Sequence, residues 1–320
     1  MSDDGFDPVI QKLLERFRAG QSRPFQLENL AAIRQGFSAN AKDRTLAEGV
    51  TTQDVEIAGI PVRLYRPAGD GPLPLHLYCH GGAFILGSAM SGESDGFLSR
   101  RAKAAGCVVA SVEYRLAPEH PFPAGVEDTY AALVRLVERA GEFGLAPQAV
   151  TVGGASSGGN FAAVTALMAR DRGGPAIALQ LLEIAGTDLT KSTHAWRHPQ
   201  AGHDTTRERD LQLIDLYLPL AQRAHPYASP LFAPDLTGTA PAYFLNAEFD
   251  PRRDECEAYA ARLADAGVQV VSRTMAGHVH GSSTIPDWPP AVAWRALADR
   301  VLATANAAAL AGAHLTLAGL

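Results

Sequence analysis

Cysteine is scarce: three residues in 320, at positions 79, 107 and 256. So few thiols, so widely spaced, exclude a disulfide framework and point to a reducing compartment. Cys79 and Cys107 lie inside apolar runs, which reads as small buried hydrophobes and not as reactive thiols. Runs of like charge are missing too. Lys and Arg total 28 against 34 Asp and Glu, a net charge of -6. This excludes a basic nucleic-acid footprint and a charged tail. No apolar stretch approaches the length of a bilayer span. The opening MSDDGFDPVI is acidic and lacks a leader's apolar segment, so no signal peptide is expected and the expected location is cytoplasmic. Internal repeats and low-complexity tracts are absent.

What is present is a chain of 320 residues, 47% hydrophobic, enough for one large α/β domain with an accessory lobe. Residues 7–49 carry an amphipathic helical pattern. VEIAGIPVRLYRP then reads as a β-hairpin turning near Ala58-Gly59. Beyond it, short apolar runs (LPLHLYC, CVVASV, AVTV, IALQLLEI, AYFLNA, VQVVSR) alternate with helical stretches such as YAALVRLVERA, FAAVTALMAR and CEAYAARLADA. Alternation of this kind predicts a mostly parallel sheet with helices on both faces. Residues 187–235 are too long for an ordinary crossover and follow a strand's carboxyl end, where α/β sheets bind ligands. They are expected to form a lid or cap, completed by residues 1–49; residues 50–186 and 236–320 make the catalytic domain.

The stretch GGASSGGN, residues 153–160, surrounds two serines with glycine. It lacks the Gly-Lys-Ser/Thr of a phosphate loop and fits no register of G-x-G-x-x-G. G-x-S-x-G fits once, from Gly154 to Gly158, and selects Ser156 over Ser157. A nucleophilic serine needs a tight strand-to-helix turn that exposes its hydroxyl, so residues two before and two after must be small. AVTV precedes as a strand and FAAVTALMAR follows as a helix, whose N-terminus favours a developing oxyanion. Upstream, LPLHLYC runs into His80-Gly81-Gly82, where successive amides can turn toward a ligand.

HGGAF, YRLAPEHPFPAGVEDTYAAL, GASSGGN and EFDPRRDECEAYA, in this order, closely resemble the hormone-sensitive-lipase-like branch of α/β-hydrolases, the bacterial family IV esterases. The resemblance spans roughly Val55 to His280, and Tyr114–Gly125 is its most specific stretch. It implies the α/β-hydrolase fold: a mostly parallel eight-stranded sheet with helices on both faces under a helical cap. It implies hydrolysis of carboxylic esters through an acyl-enzyme, with no metal or cofactor. Ser156 would be the nucleophile, and the amides of Gly81, Gly82 and Ser157 the oxyanion hole. In this fold the acid and then the base follow the serine. Asp250 ends the strand PAYFLNAEFD and matches the family's acid, whereas Asp254, a turn further on, reads as a helix-start charge. AGHVHGSS offers His278 and His280, both expected in a loop. The family's base precedes a glycine, which gives His280 and leaves His278 as a supporting or exposed imidazole.

The chain departs from the family at Ala155 and Ser157 around the nucleophile, at Ala83 in the third glycine of HGGG, at Ser282 and in EIAGTD (183–188). These changes leave the triad but point to a specialised ester, lactone or amide. His194, His198 and His203 cluster, yet Pro199 and Gly202 break any helix and no H-E-x-x-H is present, so no metal site is expected. His120 is read as structural. Phe84, Trp196, Tyr217 and Trp288 are core or pocket wall. The same acyl-enzyme would serve an acyltransferase. A non-catalytic receptor and a carboxylesterase-like dehydratase are the other readings, and the presence of His280 speaks against the receptor. The expected partner is a small ester; a homodimer is left open.

Overall fold

A computed structural model describes residues 5–21, 26–39, 45–92 and 94–320. Parts of the 1–49 segment assigned to the cap thus lie outside the described residues. The helical reading of 7–49 resolves into α1 (Pro8–Gln21) and α2 (Leu30–Ala39). The hairpin follows as β1 (Val50–Ile57) and β2 (Ile60–Pro67), with Ile57 paired to Ile60. Two residues close it, Ala58 at φ 55° and Gly59 at φ 79°, the left-handed pair that suits a right-twisted hairpin.

The remaining elements are β3 (Leu73–Cys79), α3 (Asp95–Ala105), β4 (Val108–Val112), α4 (Ala124–Glu138), β5 (Leu145–Ala155), α5 (Ser157–Asp171) and β6 (Leu179–Glu183). After them come α6 (His194–Arg197), α7 (Arg207–Tyr217), β7 (Ala242–Phe249), α8 (Arg253–Asp265), β8 (Val270–Val279) and α9 (Pro289–Leu310). The strands form one eight-stranded sheet in the order β1-β2-β4-β3-β5-β6-β7-β8. β2 runs antiparallel to β1 and β4; every other pairing is parallel. Strands buried on both faces read as continuous apolar runs, and the alternation splits them. Val108, Ala110 and Val112 of β4 face the core shared with α4, α5 and α8, while Val109 faces the core shared with α3 and α9. Among the described residues, no helix is long and apolar enough to cross a membrane.

Two parts stand outside this sandwich. The chain between β6 and β7 carries α6 and α7, and seats Ile214, Tyr217 and Leu218 in the main core. The Tyr217 ring stacks on Phe84, centroids 4.2 Å apart. Helix α1 buries Ile10 and Leu14 against Val279, Trp288 and Ala291, at the junction of β8 and α9. Both additions therefore pack near carboxyl ends of strands, α1 at the end of the edge strand β8 and α7 against Phe84 beyond the end of β3.

Candidate active site

The turn from β5 into α5 places Ser156 at φ 59°, ψ −120°, a conformation that costs a non-glycine residue free energy and persists only where the surroundings fix it. The surroundings do so. The Ser156 amide donates to the Glu183 carbonyl (2.9 Å), and its carbonyl accepts from Asn160 (3.1 Å) and Gly186 (3.2 Å). The flanking glycines are sterically required. A Cβ on Gly158 would lie 2.0 Å from the Cys79 carbonyl oxygen, and one on Gly154 2.5 Å from the same atom. The end of β3 thus runs hard against the elbow. Its continuation brings Gly81 alongside: a Cβ there would sit 2.9 Å from the Ala155 carbonyl and 3.6 Å from the Ser156 Cβ. Gly82 has φ 138°, with no room for a side chain against Leu86, and Ala83 and Phe84 continue left-handed at 53° and 67°. The backbone of the predicted oxyanion residues Gly81 and Gly82 therefore stands next to the serine. Ser157 supplies the first amide of α5, a position with no intrahelical acceptor.

His280 and Asp250 converge on this point. His280 Nε2 lies 3.0 Å from Ser156 Oγ, and Nδ1 lies 2.6 Å from Asp250 Oδ2. Asp250 is buried, and its second oxygen accepts from the Arg252 amide (2.9 Å) and guanidinium (3.2 Å). Burial alone would raise its pKa, but His280 and Arg252 outweigh burial and hold the carboxyl well below the usual range.

The two other candidates have separate surroundings. Asp254 accepts from the Ala195 amide (2.8 Å) at the start of α6. His278 is neither exposed nor in a loop. Pairing of Val279 with Phe249 beyond an irregularity in β7 carries β8 through residue 279, so His278 is a strand residue. Its ring lies between Trp288 and Trp294, centroids 4.8 and 4.9 Å away, and Nδ1 is 2.8 Å from Ser282 Oγ. Burial pushes its pKa down to about 4. Ser282 thus fastens the turn next to His280, its hydroxyl donating to the Val279 carbonyl (2.8 Å).

His194, which opens α6, and His198, just past its end, stack on each other at 4.0 Å, and His120 is exposed before α4. Among the described residues, the one acidic and histidine group with metal-ligand spacing is Asp204, Asp250 and His280. The Arg252 guanidinium already lies within 3.2 Å of both carboxylates. The cysteines are buried, and burial pushes the Cys79 and Cys107 thiols up to about 12, away from nucleophilic chemistry.

The sequence reading missed a set of charges. In front of Ser156 opens a narrow cleft of about 30 Å³, bounded by Phe84, Leu189 and Ile214 but also by Lys191, Asp210 and Arg252. Arg252 bonds Asp210 (2.8 Å) as well as Asp204 and Asp250. Lys191 reaches Asp210 (3.2 Å) and Glu255 (3.4 Å), and both cations lie over the Trp196 ring. Burial raises the Glu255 pKa to about 7 against the opposing pull of Lys191. The first arginine of DPRRD, Arg252, was the visible signal for this network. Its partners lie more than forty residues away, Asp204 in the turn before α7 and Asp210 on α7, and no local pattern aims them at Arg252.

Residues 76–284 match a family described as alpha/beta hydrolase fold. The chain is 39% identical over 294 residues to the carboxylic ester hydrolase LipN of Mycobacterium tuberculosis, covering 86% of this chain and 76% of that protein. It is 31% identical to an arylesterase of Saccharolobus solfataricus, covering 86% and 91%. Among solved structures, a bacterial heroin esterase superposes with a TM-score of 0.83 at 33% identity, covering 94% of this chain and 98% of that one. The metagenomic carboxylesterase EstE1 gives 0.79 at 32% identity, covering 86% and 97%.

Proposed function

The chain belongs to the alpha/beta hydrolase family, in its hormone-sensitive-lipase-like esterase branch, and from this premise we propose that Ser156, His280 and Asp250 are its catalytic triad. The enzyme is a serine hydrolase of carboxylic esters. Ser156 Oγ attacks the ester carbonyl while His280 Nε2 takes the hydroxyl proton. Asp250 holds the Nδ1–H tautomer and stabilises the imidazolium. The amides of Gly81, Gly82 and Ser157 receive the carbonyl oxygen as it gains charge. Collapse of the tetrahedral intermediate breaks the bond to the alcohol oxygen, which leaves with the proton from His280. Water, deprotonated by the same imidazole, then releases the acid and restores Ser156. The observation that carries this reading is the hydrogen-bonded chain from Ser156 through His280 to Asp250, built on a strained elbow.

Residues 1–49 and 187–235 are proposed as the cap; α1 and α7 packing around the sheet's carboxyl ends supports this. A cytoplasmic location is proposed on the three buried free thiols. A homodimer is part of the proposal as well, supported by the exposed residues of β8 at the sheet edge. A chain-length series of p-nitrophenyl esters tests the chemistry. Ser156→Ala should lose about a million-fold in kcat, and Ser157→Ala, which keeps its amide, much less. Equal losses would mean that the nucleophile's register is wrong. Adding an alcohol acceptor and analysing products separates hydrolysis from acyl transfer.

A further inference from the structure

A cleft built for a plain acyl chain has no use for a buried ion pair in its wall. Replacing such a pair by apolar residues of similar volume is often neutral or stabilising. Here Lys191 and Asp210, 1% and 7% exposed, both open on the cleft that contains Ser156. Lys191 holds φ 52°, an unfavourable backbone for a residue with a side chain, and strain of this kind concentrates at functional sites. The turn that imposes it is over-determined. Asp188 accepts from the amides and hydroxyls of Thr190 and Ser192, and Arg207 Nε donates to the Lys191 carbonyl (2.9 Å). A second observation points the same way. Ser157 Oγ is buried, has no hydrogen-bond partner, and belongs to a residue lining the same cleft.

We propose that Lys191 and Asp210 form a polar subsite for a neutral donor–acceptor group, a hydroxyl or primary amide, on one arm of the ester. The proposal rests on the ester-hydrolase reading above. An ammonium and a carboxylate 3.2 Å apart present a donor beside an acceptor. An anionic group is disfavoured because Asp204, Asp210, Asp250 and Glu255 outnumber Lys191 and Arg252. A cationic group would meet Lys191 and Arg252 at the cleft itself. A neutral hydroxyl avoids both repulsions. It donates a hydrogen bond to Asp210 and accepts one from Lys191, while Phe84, Leu189 and Ile214 take the carbon chain.

The test uses the intact enzyme and two isosteric pairs, one for each arm. Ethyl 3-hydroxybutyrate is compared with ethyl 3-methylbutyrate, and 2-hydroxyethyl butyrate with propyl butyrate. A site that hydrogen-bonds a hydroxyl discriminates strongly against the analogue lacking it. The expected result is a preference of about tenfold or more in kcat/KM for the hydroxyl member of one pair. That ratio should collapse toward one in the double variant Lys191→Met/Asp210→Leu, which removes both charges together. The wild-type ratio decides even if the variant does not fold. A preference for the apolar member in both pairs, or a hydroxyl preference that survives in the folded double variant, overturns the subsite. Absence of turnover on all four esters and on p-nitrophenyl acetate would instead overturn the hydrolase reading beneath it.

Discussion

His278 and His280 differ by two positions in the chain and by what surrounds their rings. The sequence offers both to the serine, and only the glycine that follows His280 distinguishes them. In the fold, His280 faces Ser156 and Asp250, while His278 lies between two indole rings with its pKa near 4. A base whose folded pKa is depressed contributes stability that is fully present above its unfolded value, near 6.5, and lost as pH falls through about 4. The melting temperature of the wild type should therefore fall more steeply between pH 6.5 and 4 than that of His278→Gln. Parallel declines would show that His278 does not bear on acid stability. At this scale Ser156 and Asp250 were legible from the elbow pattern and the strand ending in EFD. Lys191, Asp210 and Arg252 were not, because ion pairs between segments distant in the chain leave no local pattern.

At the scale of elements, the alternation of strand and helix was readable because each run has its own apolar period. Boundaries were less so. AVTV is the centre of an eleven-residue strand, and IALQLLEI keeps only five residues in its strand before Ile184 turns at φ 42°. The glycines of the elbow are explained by the β3 carbonyl pressed against them, a contact between strands that the motif records without naming. Helix α1 was foreseen as amphipathic, and its apolar face proves to cover the strand end that leads to His280. Deleting residues 1–21 should change KM and chain-length preference more than the acylation rate, as read by steady-state and burst kinetics on the same ester series. An unchanged substrate profile would remove this helix from the pocket. Arg252 joins the insertion to the catalytic strand through Asp204, Asp210 and Asp250. Arg252→Met removes the cation that three buried carboxylates share, leaving Lys191 on Asp210 and His280 on Asp250, and should cost about 3–5 kcal/mol of stability. Denaturant unfolding with and without Asp204→Asn and Asp210→Asn checks this, since the added substitutions should recover part of the loss.

The whole molecule is a sheet whose carboxyl ends gather Ser156, His280 and Asp250, the proposed nucleophile, base and acid, beside the Gly81-Gly82 turn. α1 and the insertion between β6 and β7 pack around those ends. The insertion brings Lys191 and Asp210 to the cleft beside Ser156, together with the apolar Leu189, Leu213 and Ile214. All of this depends on an acyl group passing through Ser156. The most direct measurement is the p-nitrophenol burst from p-nitrophenyl acetate, acid-quenched and mapped by peptide mass spectrometry. One acetyl group per chain is expected, carried by the peptide at Ser156. The burst should disappear in His280→Ala and persist in His278→Gln. Acetyl on Ser157, or a full burst in His280→Ala, would contradict this expectation.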